Sequence, residues 1–196
     1  MKKFSGYEPK RMTAREPIPV GGYVVKVLNV KEQNYDWGDV LVICFDVIEG
    51  DYKGFFKNDL DNQTQEDKKW KGTYRLGIPK DDGSERDGWT KNTFNGVMYS
   101  FEESNKGFKW DWDESKLKGL VVGALFRNKE WEFNGRSGWT TECCSLIPAD
   151  DIRNNKFKMP KDKPLNGGAK SAKNTTKSTN SNSDFEEITD ADDFPF

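Results

Sequence analysis

The sequence has no histidine. That absence excludes a Ser/His/Asp triad, a Cys/His dyad, an imidazole base and any His-ligated metal. Cysteine is scarce too: Cys44, Cys143 and Cys144 are the only three. They contain no CxxC pair and are too few for a four-Cys zinc site. In a strand, neighbouring Cys143 and Cys144 point to opposite faces, which argues against a disulfide between them. An odd cysteine count suits a reducing compartment, so the expected location is cytoplasmic. No run approaches the roughly 18 apolar residues of a membrane-spanning helix, and residues 1–6 lack the apolar core of a signal peptide, so no membrane partner is expected. Neither Gly-x-Gly-x-x-Gly nor Gly-x4-Gly-Lys occurs, so no phosphate-cradling loop is announced. Hydrophobic residues are themselves few, at 34% against 33% charged, which is low for a packed domain.

Large rings are not scarce. The 196 residues include 7 Trp, 6 Tyr and 13 Phe, a composition that fits one compact β-rich domain with a solvated remainder. Composition changes near Pro164. Residues 166–183 (NGGAKSAKNTTKSTNSNS) contain no aromatic and no branched aliphatic residue and read as a flexible polar linker. Residues 184–196 (DFEEITDADDFPF) then carry six acids and no base, leaving 27 acids against 31 bases in residues 1–183, a net charge of +4. The expected organisation is a mildly basic domain over 1–165, a linker over 166–183 and an acidic tip over 184–196.

The domain reads as mainly β. Residues 22–31 (GYVVKVLNVK) and 40–48 (VLVICFDVI) are β-branched runs across a short polar segment and predict an antiparallel pair. Residues 71–78 alternate Tyr74, Leu76 and Ile78 with Thr73, Arg75 and Gly77, a third strand. Residues 80–92 read as a loop. Phe94, Val97, Met98 and Phe101 at helical spacing predict a helix over 93–104 with Thr93 as its N-cap. Strands follow over 120–133 and 137–147, joined by Asn134-Gly135, because a type I′ turn needs positive φ at both central residues. A two-residue turn there sets Trp131 against Gly138 and Arg127 against Glu142. Three strands, a helix and two strands is the order of an OB-fold, a five-stranded barrel with one helix between strands 3 and 4. An SH3-like barrel or a sandwich stays open, since periodicity does not decide closure.

Cations and rings cluster in this domain. Lys68, Lys69, Trp70, Lys71, Tyr74 and Arg75 fall within eight residues that contain no acid, and Phe55, Phe56 and Lys57 repeat the pattern. Trp37 lies in the first loop, and Trp131 and Trp139 flank the Asn-Gly turn with Arg127, Lys129 and Arg136 beside them. Single strands need cations for phosphates and flat faces for unstacked bases, each stacked base contributing about 1–3 kcal/mol. Any single ring can equally be core, and Phe45, Phe94, Phe101 and Phe126 are expected there.

The segment Asp190-Ala191-Asp192-Asp193-Phe194-Pro195-Phe196 joins acids to an aromatic-Pro-aromatic triplet. It resembles the acidic tip of bacterial single-stranded DNA-binding proteins, with Asp192, Asp193, Pro195 and Phe196 in matching places, Phe194 where Ile or Leu is more usual, and Asp190 among the preceding acids. The resemblance covers about nine residues. It implies recruitment of replication or recombination proteins in a bacterial host cell. The small Lys/Asp-rich domain fits a phage or mobile-element version. Independently of family, a ring and a carboxylate on one residue suit an apolar pocket edged by Arg or Lys.

Catalysis has weaker support. Asp111/Asp113, Asp46/Glu49 and Glu130/Glu132 are carboxylate pairs that a Mg²⁺ nuclease could use, but the spaced Asp and Glu-x-Lys pattern is absent. Alternating acids on a strand are ordinarily its wet face. The expectation is therefore a non-catalytic, cofactor-free protein that coats single-stranded DNA and recruits partners through its tip, with self-association left open. The rivals are a replisome adaptor that binds no DNA and, behind it, the nuclease.

Overall fold

The computed structural model describes residues 16–64 and 66–165. Both the linker and the acidic tip, with Asp190, Asp192, Asp193, Phe194, Pro195 and Phe196, lie outside the described residues.

Strand β1 (Gly21–Tyr35) pairs antiparallel with β2 (Gly38–Val47), which pairs with the short β3 (Thr73–Gly77). Strand β4 (Val121–Phe133) joins the other side of β1 and pairs with β5 (Arg136–Ile147). The result is one five-stranded antiparallel sheet in the order β3-β2-β1-β4-β5. Inward residues of β2 and β3 alternate as the period of a strand requires: Leu41, Ile43, Phe45 and Val47 with Tyr74 and Leu76. Val25, Val27, Val122, Ala124, Phe126 and Leu146 complete that face. A second, smaller cluster of Val24, Leu125, Ala149 and Ile152 packs on the opposite side. Cys143 packs against the first cluster and Cys144 against the second, and all three cysteines are free.

Barrel closure is where the expectation is corrected. Residues of β3 and β5 come within 8 Å between Cα atoms, but among the described residues no ladder joins these edges. The sheet is not closed.

The β4–β5 hairpin has the register that a two-residue turn dictates, with Trp131 opposite Gly138 and Arg127 opposite Glu142. Asn134 (φ 50°) and Gly135 (φ 71°) supply the two left-handed residues. Leu28 is an extra residue in β1, since Val27 faces Phe45 and Asn29 faces Cys44, a β-bulge.

Helices differ more from expectation. Helix α2 (Glu85–Ser104) begins eight residues before the position expected and is capped by the Ser84 hydroxyl, which accepts from the Asp87 N–H, rather than by Thr93. Phe94, Val97, Met98 and Phe101 are its core face. The stretch read as a loop is helical because Asp87 turns inward and accepts from the backbone N–H groups of Lys80 and Asp81 at 2.8 and 3.1 Å. Its carboxyl also meets Lys91 at 2.9 Å, and that Lys91 contact is the main cause holding its pKa below the ordinary carboxylate value. Two short helices add to the expected elements, α1 (Phe55–Asp61) between β2 and β3 and α3 (Ala149–Arg153) after β5. Buried Asp46 organises α1: its carboxylate accepts from the N–H groups of Val47, Phe56 and Lys57 at 2.8, 3.0 and 3.1 Å. The Phe56 and Lys57 groups are donors that a helix N-terminus leaves without an intrahelical acceptor.

Candidate nucleic-acid interface

The candidate residues separate into core, anchors and display. Phe56 and Tyr74 are core, at 4% and 9% exposure, so neither offers a face to a base. Phe55 packs half-buried against the same cluster, edge-on to Phe56 at 5.2 Å between centroids. Trp70 also packs on the core, and its indole N–H is shared between the carbonyls of Phe45 and Gly72 at 3.2 and 3.0 Å. It is partly buried and tied to the core through that N–H.

What Trp70 anchors is cationic. Lys68, Lys69 and Lys71 are exposed on the segment leading into β3. Lys69 pairs with Asp67 at 3.4 Å and the Lys68 ammonium donates to the Asp61 carbonyl at 3.2 Å. Lys57 pairs with Asp61 at 2.6 Å one helical turn on. Arg75 lies on the outward face of β3, opposite Val42, which in turn faces Lys31 on β1. That row, Lys31–Val42–Arg75, joins cations from two non-adjacent strands. Lys31 is invisible as a candidate in the sequence because only the register makes it a neighbour of Arg75.

The hairpin tips display rings. Trp37 (45% exposed) stacks on Tyr35 (39%) at 4.9 Å and 9° between planes, at the β1–β2 turn. Tyr35 is a further ring not singled out from the sequence above; its place beside Trp37 comes from the β1–β2 turn. At the other tip, Trp131 (39%) lies over Gly138, where an added Cβ would meet ring atoms at 3.0 to 3.2 Å. Lys129 and Arg136 belong to the same face of the hairpin as Trp131, because strand residues alternate and paired residues share a face. Trp139 (51%) pairs with Glu130 and therefore belongs to the opposite face, which also carries Glu132. The structure thus separates the two hairpin tryptophans that the sequence grouped. Arg127 and Lys129 converge on a single carboxylate, Glu142, at 3.0 and 3.1 Å, so the trio retains one net positive charge.

The β1–β4 ladder spans only Gly21–Lys26 and Val121–Phe126. Each hairpin therefore runs on past this ladder as an arm. The β4 arm is braced by residues 161–165: Lys163 exchanges backbone hydrogen bonds with Asn128 and Glu130 at 2.8 and 2.9 Å, and the Leu165 N–H donates to Glu130 Oε2 at 3.1 Å.

For the carboxylate pairs, no group of three or more His, Cys, Asp or Glu is placed to hold a metal ion among the described residues. Asp111 contacts Lys116, and Asp113 caps a 3-10 turn at Glu114–Leu117. Asp46 is used by α1, and Glu49 pairs with Arg153 at 2.6 Å. No described helix is long and apolar enough to cross a membrane. No known protein family and no curated protein matches the chain.

Proposed function

We propose that the protein binds single-stranded DNA without sequence preference, through the outward face of β1–β3 and the two hairpin arms, and recruits replication or recombination proteins through the segment Asp190–Phe196. The observation that carries this reading is the display of aromatic rings at both hairpin tips, Tyr35/Trp37 and Trp131, among cations on the same sheet. Bases stack on such rings while phosphates take the cations, a combination tolerant of sequence because every base has a π-face. The strand order, the position of α2 between β3 and β4, and the approach of β3 to β5 support an OB-type partly open barrel as its frame. No catalytic step is part of this reading.

Quenching of tryptophan fluorescence by oligo-dT, with duplex DNA as control and salt as the variable, tests it. The expected result is saturable quenching by the single strand, weaker binding to duplex, and affinity that falls as salt rises. A second reading, an adaptor that binds no DNA, is favoured by the shared pairing of Arg127 and Lys129 with Glu142, which cancels one of their two charges. It predicts no quenching at any salt.

A further inference from the structure

Among the described residues, Gln63 is one of few fully buried polar side chains, at 5% exposure. It follows the C-cap of α1 and makes a two-way clamp on a residue further along the chain. Its amide Nε2 donates to the Lys69 carbonyl and its Oε1 accepts from the Lys69 N–H, both at 2.8 Å. The amide therefore reads the backbone of Lys69 as a strand neighbour would, leaving that residue's side chain outside. Immediately beyond, Trp70 turns inward and donates to Phe45 and Gly72. Gly72 approaches so closely that a Cβ there would lie 2.4 Å from the Phe45 carbonyl. Three consecutive devices thus fix the main chain of 69–72 to the body, while Lys68, Lys69 and Lys71 face solvent.

We infer that Gln63 is a positioning residue for nucleic-acid binding: its clamp holds Lys68 and Lys69 where the phosphates of a single strand pass. This deepens the reading above and rests on it. A lysine on a loose segment must be ordered as it binds, whereas a clamped backbone has already surrendered that freedom before the ligand arrives. Gln63 itself touches no ligand.

The test compares the native chain, Gln63→Met, the pair Lys68→Ala/Lys69→Ala, and all three changes together. Methionine keeps the side-chain volume and removes both hydrogen bonds to Lys69, together with the 3.4 Å one from the amide Nε2 to Asp59. Fluorescein-labelled oligo-dT is the probe, titrated by anisotropy at several salt concentrations, with melting temperature recorded for each protein. Gln63→Met is expected to weaken low-salt binding by about three- to tenfold, the range that one or two hydrogen bonds supply. It should also lower the slope of log Kd against log salt by about 0.7 for each phosphate that the single strand no longer presents to a lysine. Adding Lys68→Ala/Lys69→Ala to Gln63→Met should then cost less than the same pair costs in the native chain, because both act on the same phosphates. An unchanged salt slope in Gln63→Met, or additive effects, overturns the clamp's role while leaving single-strand binding intact. If Gln63→Met melts too low to assay, Gln63→Glu, which keeps the acceptor for the Lys69 N–H, must show the same sub-additivity or the inference falls. Native protein that fails to bind oligo-dT at any salt overturns the proposed function itself, and the clamp's role with it.

Discussion

At the scale of single residues, a tryptophan whose indole N–H is already engaged inside the fold differs from one laid over a glycine. Trp70 donates to two carbonyls and packs against Phe56, so Trp70→Ala should lower stability by about 3–5 kcal/mol, measurable as a fall in melting temperature. Trp131 presents its ring at a hairpin tip. Trp131→Ala should weaken oligo-dT binding by about 1–3 kcal/mol with little change in melting temperature. Trp139, on the face shared with Glu130 and Glu132, should matter less for DNA than Trp131. The sequence register that sets Trp131 against Gly138 already implies opposite faces for Trp131 and Trp139, but the engagement of Trp70 with Phe45 and Gly72 depends on contacts distant in sequence. Thiol chemistry follows burial in the same way. Burial pushes the Cys143 thiol well above its ordinary pKa, so it stays protonated at neutral pH. Cys143 is partly buried, so alkylation should label it more slowly in the native than in the unfolded protein, as peptide mapping would show.

Elements differ in how much of their cause is local. The Asn134-Gly135 hairpin is legible in the sequence down to its register because two adjacent residues supply both left-handed conformations. Strands β1 and β2 are legible as β-branched runs and β3 by the alternation of Tyr74, Leu76 and Ile78 with polar or small residues. Helix α1 is not: seven residues are too few for a helical period to show, and its N-terminal donors are satisfied by Asp46, a residue at the end of β2 outside the helix. The first turns of α2 are hidden for a related reason, since Asp87 there is buried against backbone N–H groups and reads in sequence as loop polarity. Asp46→Ala should therefore cost about 2 kcal/mol, the upper end for loss of a helix cap, and loosen α1 as seen by hydrogen exchange at Phe56 and Lys57. The pairing of α3 with the β2 end is weaker and titratable. Arg153, chiefly through its side-chain hydrogen bond, holds Glu49 below its ordinary pKa. A carboxyl depressed in the folded state stabilises above its unfolded pKa and loses that contribution as pH falls through the folded value. Arg153→Ala should then lower the melting temperature at neutral pH and converge on the native protein in acid. The pair is partly exposed, so the difference should correspond to no more than about 1 kcal/mol.

On the scale of the whole molecule, charge is divided between the body and residues 184–196, whose six acids face a remainder of net +4. The chain reaches Leu165 beside the β4 arm, because Lys163 and Leu165 are held there. Deleting Asp190–Phe196 should accordingly leave oligo-dT affinity equal or tighter at low salt. The difference should vanish as salt rises, and pull-down of replication partners should be lost. A tip that only solubilises would leave every partner in place. The open β3–β5 edge is beyond the sequence, since closure depends on curvature accumulated over the entire sheet. Part of that curvature enters at Leu28, the residue in excess where Val27 faces Phe45 and Asn29 faces Cys44. Its side chain is 41% exposed and unneeded by the core, and without it the alternation of β1 would run unbroken into Asn29 and Val30. A one-residue deletion usually scrambles a strand; here, removing Leu28 should conserve every downstream pairing and every face. What it would change is heading: the Tyr35/Trp37 tip would swing on a straighter strand, making position 28 a length-variable joint through which the reach of the arm could be adjusted without rewriting its contacts.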